Sequence, residues 1–352
     1  GCGYFQVTEK NGLRCSTAVG YLNPVKKNKN LKIETNCHVQ KINFNGNTAE
    51  SVTYSKNNKN FTVVAEKEII LCAGSIGSPH LLQTSGIGEA SKLKDLGIDI
   101  IKDLKGVGKN LQDHLMFRPV YKVKNIETLN KKINSVFGKL LIGLEYVFKR
   151  KGPMTMGASQ LCGFAKSDPT RDTPNLQFHI QPISTDKLGG ANLHDFHAFT
   201  PTVANIRPTS RGEITINSSD SKVNPKIKMN YLSTDEDRKV AADGIKLIRK
   251  IVMETNEFKK YEPEEFRPGS HLNEKEEIVK ACSHYAQTIF HPVGTCKMGN
   301  DESAVVSDKL KVHGLNKLRV IDASIMPNIT SGNTNAPTIM IAEKGADMIL
   351  SS

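Results

Sequence analysis

Apolar and polar positions alternate at Leu31 and Ile33 and again at Val39, Ile42 and Phe44. A turn triplet, Asn45-Gly46-Asn47, follows, and Val52 and Tyr54 resume the alternation. A period near two marks strands with one buried face, and an Asn-Gly turn between two such runs predicts a β-hairpin. The next run, Ile69 to Cys72, is continuously apolar and stops at Ala73 and Gly74, the pattern of a strand buried on both faces inside a parallel sheet. Ser78 and Pro79 then read as the cap and first position of a short helix through Leu81 and Leu82. The spacing changes to helical at Ile133, Phe137, Leu140, Leu144 and Val147, which predicts a solvent-facing amphipathic helix over 129–149 ending in Lys149, Arg150 and Lys151. Alternation returns at 213–217 and 226–231, predicting antiparallel strands with one wet face. Ser233 and Glu236 have capping-box spacing ahead of the helical run Val240, Ile245, Ile248 and Val252. Leu318 to Ile321 reads as another short buried strand, and 339–350 as a final helix.

The chain has 352 residues, 38% hydrophobic and 24% charged, an ordinary globular composition at a length that favours two domains. The continuous apolar runs are only a few residues long, against the roughly 20 a spanning helix requires, so no transmembrane segment is expected. Lys and Arg exceed Asp and Glu by 48 − 36 = 12. That excess raises the question of nucleic acid, but the basic residues are scattered, without interleaved aromatics or a recognisable motif, so no nucleic-acid role is expected. Seven cysteines, odd in number, widely spaced and without a C-x-x-C pair, read as reduced thiols in the cytoplasm, with peripheral membrane attachment left open. Neither H-E-x-x-H nor paired cysteine spacing occurs, so no metal is expected.

Four stretches are too particular to be generic: 74–88 (GSIGSPHLLQTSGIG), 106–114 (GVGKNLQDH), 291–299 (HPVGTCKMG), and 319–327 (RVIDASIMP) running on to 332–338 (GNTNAPT). Together and in this order they resemble the glucose-methanol-choline (GMC) flavin oxidoreductases, in particular the choline dehydrogenase-like alcohol dehydrogenases. The segments 12–16, 21–24 and 207–212 extend the likeness over essentially the whole chain. The resemblance implies an incomplete Rossmann-like α/β FAD-binding domain and an α+β substrate domain built on an antiparallel sheet. The expected segments are 1–115 and 291–352 for the FAD domain and 116–290 for the substrate domain. It also implies a small alcohol substrate and an electron acceptor, whether oxygen, quinone or another carrier.

The same residues carry a physical reading. Ala73 and Gly74 offer little side chain, so backbone there can approach a ligand or simply make a tight turn. The resemblance sets them against FAD, with Val39 near the adenine through its backbone. His291 is flanked by Phe290 and Pro292. Its ordinary pKa near 6.5 suits proton transfer, although a lone histidine is commonly a satisfied core residue. In the family the corresponding histidine takes the hydroxyl proton of an alcohol while hydride passes to flavin N5. Asn333 matches the family partner of that base, its amide available to the substrate oxygen; without the family it is as readily a turn-capping residue. Pro337 fits the first position of the final helix, with Asn335 just ahead of it, and the positive end of that helix suits the charge on a reduced flavin. Asp322 resembles the residue beside the FAD ribityl and pyrophosphate, with Ala323 giving backbone access; its bland alternative is a cap.

One family element is missing. No G-x-G-x-x-G follows a strand, and 106–108 lacks the third glycine because Leu111 stands in its place. The chain also opens on Gly1 rather than Met. Both observations fit a processed or N-terminally truncated member lacking the main ADP grip. The rivals to an alcohol-oxidising enzyme are therefore a non-catalytic fragment and, within the same fold, a flavin lyase.

Overall fold

The computed structural model describes residues 1–157, 159–186 and 192–351. It divides into two compact units, each assembled from three stretches of chain. The first comprises 1–33, 115–206 and 235–288; the second comprises 34–114, 207–234 and 289–352. The division differs from the expected segments at two places. Residues 1–33 join the first unit because Cys2–Tyr4 pairs with Leu161–Ala165. Residues 207–234 join the second, where Gly212 bridges Leu111 and the Ile214 amide donates to the Gly108 carbonyl.

Among the described residues the first unit is built on an eight-stranded sheet. Its main path runs Cys2–Tyr4, Leu161–Ala165, Leu176–Gln181, Ala198–Asn205, Leu115–Phe117 and Gln287–Thr288, and Val120–Lys122 links Ala198–Asn205 to Glu264–Arg267. Every pairing is antiparallel. The helix Asp235–Glu254 packs its buried Val240, Ile245, Ile248 and Val252 inward. Gly244 lets that helix close on the sheet, since a Cβ there would stand 3.1 Å from a Val203 methyl. The helix starts at Asp235 rather than directly after Ser233. Arg249 from this helix makes a two-pronged ion pair with Glu265, both contacts 2.8 Å.

The second unit contains the expected hairpin, His38–Asn45 against Thr48–Lys56, extended by Lys59–Val64. Leu31 and Ile33 belong to no strand and both are exposed. Ile69–Leu71 pairs in parallel with Leu318–Val320. That strand is buried on one face only: Ile69 and Leu71 point into the core, whereas Ile70 is 42% exposed. Ile42, Leu82, Val293, Val305 and Val320 meet in the same core. Glu213–Thr215 and Lys226–Lys228 form the expected antiparallel pair.

Two helix starts in this unit differ from expectation. The first helix of this unit runs Gly74–Thr84 with Pro79 inside it. A proline lacks the N–H that would reach the carbonyl four residues back, here that of Ser75. The Thr295 hydroxyl donates to that carbonyl instead, at 2.6 Å, so the vacancy is filled. The last helix runs Asn335–Leu350. Pro337 is thus its third residue, where an N–H has no intrahelical acceptor and its loss costs little.

Candidate active site

The site is assembled from three loops of the second unit. Gln112 and Val293 exchange both backbone hydrogen bonds, 3.0 and 2.9 Å, which aligns 111–114 beside 291–294. The Gln112 side chain donates to the Pro327 carbonyl at 3.0 Å and accepts from the Ile329 amide at 3.2 Å, tying in the third loop. Phe290 takes a left-handed backbone (φ 64) and is 74% exposed, while the next residue, His291, is 7% exposed. That conformation is unfavourable for a bulky residue, and here it sends successive side chains to opposite environments.

His291 is held from three directions. Its amide donates to Asp113 Oδ1 at 2.9 Å, and Asp113 Oδ2 accepts from the Tyr231 hydroxyl. Its Nε2 lies 3.3 Å from Asn333 Nδ2, and its Nδ1 lies 3.0 Å from Nδ1 of the fully buried His114. An amide nitrogen can only donate, so Nε2 accepts and carries no proton. In the neutral ring the single proton is then on Nδ1, donated to His114. Burial holds the His291 pKa below its usual value against the opposing charge of Asp113, so the ring is neutral at pH 7 with its Nε2 lone pair facing Asn333.

Asp322 organises a second cluster. Its carboxylate accepts from Gly74 N at 2.9 Å, Ser78 Oγ at 2.5 Å and Ser324 N at 2.8 Å. It therefore caps the short turn Ala323–Ile325 and pins the start of the Gly74–Thr84 helix. Ser78 is drawn into that helix by the same bond, which is why it does not serve as the cap. The clusters are joined: Ser75 Oγ donates to the Pro292 carbonyl at 2.7 Å, and Gly294 N donates to the Ala323 carbonyl at 3.3 Å. Of the expected residues, His291 and Asn333 meet directly, as do Gly74 and Asp322, with Ala73 and Ala323 beside them. Val39 stands apart, on the hairpin opposite Tyr54 and 38% exposed. Residues 106–108 form a turn; a Cβ on Gly108 would meet the Ile214 carbonyl at 2.1 Å.

Two models of GMC oxidoreductase match the chain, an N-terminal one over residues 1–116 and a C-terminal one over 208–342. The chain belongs to the GMC oxidoreductase family. Its relatives include "Alcohol dehydrogenase [acceptor]" of Pseudomonas putida, 42% identical over 99% of this chain and 63% of that protein. Another is "Oxygen-dependent choline dehydrogenase" of Proteus mirabilis, 42% identical over 96% of this chain and 61% of that one. Among solved structures, a formate oxidase variant from Aspergillus oryzae RIB40 superposes with TM-score 0.90 at 27% identity, covering 98% of this chain and 64% of that one. Pyridoxine 4-oxidase from Mesorbium loti gives 0.86 at 27% identity, covering 100% and 65%. The chain thus spans somewhat under two thirds of the length of these relatives.

GMC oxidoreductases bind FAD, and the residues present fit such a group. Gly74 has a φ of +75, and a Cβ added there or at Gly332 would meet nothing within 4 Å, so both turns leave open space beside the cluster. Asn335 is exposed at the start of a 16-residue helix whose first turn carries no acidic residue and no side-chain cap, a start suited to an electron-rich group. No group of three or more His, Cys, Asp or Glu among the described residues is placed to hold a metal ion. Sequence reading missed His114, Asp113 and Tyr231. The first two lie inside the NLQDH stretch it singled out, and only the fold shows what they face.

Proposed function

We propose that this chain carries the proton-handling half of an FAD-dependent oxidation of an alcohol to its carbonyl. The carrying observation is the buried His291, its Nε2 unprotonated and shared with Asn333, its Nδ1 proton given to His114. Bound FAD would supply the hydride acceptor, held by the 73–74 turn, Asp322 and Ala323, and the first turn of the helix at Asn335 and Pro337. Val39 is proposed to serve the adenine end. His291 Nε2 takes the hydroxyl proton as the carbinol C–H bond breaks, and the imidazolium so formed is stabilised by His114 and by the nearby Asp113. The Asn333 amide turns its N–H toward the oxygen on which negative charge gathers, as an oxyanion donor does. Asp113, anchored by Tyr231, holds the backbone that aims the ring. Oxygen, a quinone or another carrier completes the cycle as electron acceptor. The seven unpaired thiols fit a reducing compartment, so a cytoplasmic setting is part of the proposal.

The test starts from protein loaded with FAD and desalted, mixed anaerobically with a panel of alcohols while flavin absorbance is followed. Bleaching by an alcohol is expected, slowed about 10² to 10⁴-fold in His291→Ala, the range for a positioned general base. Bleaching at the wild-type rate in that variant would remove His291 from the reaction.

A further inference from the structure

The helix Val136–Lys149 lies in the first unit, started by Ser135, whose hydroxyl accepts from the Gly138 amide. Gly138 and Ile142 face inward; a Cβ on Gly138 would stand 2.0 Å from the Lys132 carbonyl, so the helix is pressed against the chain before it. The opposite side is apolar and bare. Val136 is 85% exposed, Phe137 68%, Leu140 56%, Leu144 43%, Val147 62% and Phe148 78%. At 3.6 residues per turn these six fill an arc of about 120° that contains no charged residue. The single helix expected over 129–149 is divided at the extended Ser135 into Leu129–Asn134 and Val136–Lys149; Ile133 falls on the first, and the rest of the stripe lies on the second and points outward. Exposed Lys131 and Lys132 precede the helix, Lys139 lies off the ridge, and Lys149, Arg150 and Lys151 end it; against the single acid Glu145, residues 131–151 carry 6 − 1 = +5.

We propose that this helix is a docking surface for an anionic lipid membrane. Exposed apolar patches of this kind mark interaction sites, and an apolar ridge on a helix whose two ends carry exposed lysine and arginine complements anionic headgroups over hydrocarbon. Fourteen residues make a helix about 21 Å long, short of the roughly 30 Å hydrocarbon core, so it lies in the interface plane and does not cross. The basic residues draw the chain to the surface, and Phe137, Leu140, Leu144 and Phe148 enter the acyl boundary.

The chain contains no tryptophan, so Phe148→Trp places a single reporter on the ridge. Its emission is expected to be solvent-exposed in buffer. It should move to shorter wavelength on adding vesicles of phosphatidylcholine with phosphatidylglycerol, and far less with phosphatidylcholine alone or at raised salt. In co-sedimentation, Leu140→Asp with Leu144→Asp, which leaves the inward face intact, should weaken binding at least about tenfold for each leucine. Lys149→Glu with Arg150→Glu should weaken it about fivefold per basic residue lost. Circular dichroism should be unchanged in both. Emission unaltered by anionic vesicles overturns the proposal, as does undiminished binding by the double leucine variant or equal binding to both vesicle types. Emission already blue-shifted in buffer also overturns it, because a protein segment then covers the ridge. Light scattering that shows a dimer dispersed by the leucine substitutions would identify the cover as a second copy.

Discussion

The Nδ1 to Nδ1 contact of 3.0 Å between His114 and His291 makes a quantitative prediction about proton transfer. In His114→Phe an aromatic ring is kept and the acceptor is lost. The Nδ1–H bond to His114 contributes about 1.5 to 3 kcal/mol when the donor is charged and about 0.5 to 1.5 when it is neutral; the difference is about 1.4 kcal/mol, one pKa unit, so the His291 imidazolium should become about one unit more acidic. His291 already lies below its usual value because it is buried. The rise of alcohol kcat/KM with pH should therefore shift to still lower pH, and its plateau should drop, by no more than the about tenfold that the pKa change represents. The assay is kcat/KM against pH for FAD-loaded protein. His114 is fully buried, so the thermal midpoint is recorded alongside to separate packing from proton affinity. A second readout needs no turnover. In 15N-histidine protein at neutral pH, the His291 Nδ1 signal should be pyrrole-like and Nε2 pyridine-like. A proton found on Nε2, or a pH profile identical to wild type in His114→Phe, would refute the reasoning.

Other predictions concern stability. Asp322→Ala strands three donors, Gly74 N, Ser78 Oγ and Ser324 N, and should lower urea stability by about 3 to 5 kcal/mol, with loss of retained flavin. Arg249→Met leaves Glu265 buried without its cation and should lower stability by about 3 to 5 kcal/mol, read from the same denaturation curves. Gly108→Ala combines a φ of +81 with a backbone carbonyl 2.1 Å from the new methyl and should lose at least about 2 kcal/mol. His291 has a depressed pKa when folded, so the unfolded chain takes up the proton first; stability should fall as pH drops below about 6.5, and His291→Asn should flatten that slope.

Much of the site was legible because its chemistry is local in sequence. His291, Asn333, Gly74 and Asp322 sit in motifs whose residue types already state what they can donate or accept. What periodicity cannot tell is which way a face points. Phe137, Leu140, Leu144 and Val147 have the spacing of a buried stripe, yet the inward contacts are made by Gly138 and Ile142, whose small size and position set the approach. Ile70 likewise continues an apolar run but turns outward. Helix starts failed for a related reason: Ser78 and Pro79 read as a cap and first turn until Asp322 and Thr295, more than 200 residues away, supply the bonds that place both inside a helix. The role of His114 was hidden in the same way, since its partner lies 177 residues further along.

That dependence on distant partners has a consequence for synthesis. The Gly74 amide and the Ser78 hydroxyl leave the ribosome 248 and 244 residues ahead of the carboxylate that receives them. At about 5 to 20 residues per second the wait is roughly 12 to 50 seconds, during which these donors have only water and the strand at Ile69–Leu71 has no parallel neighbour at Leu318–Val320. A nascent chain stopped between residues 291 and 322 therefore holds a histidine without its asparagine and a helix without its anchor. Such a chain offers an open strand edge to chaperones and proteases, and the finished site is a signal that synthesis has passed the Leu318–Val320 strand and Asp322.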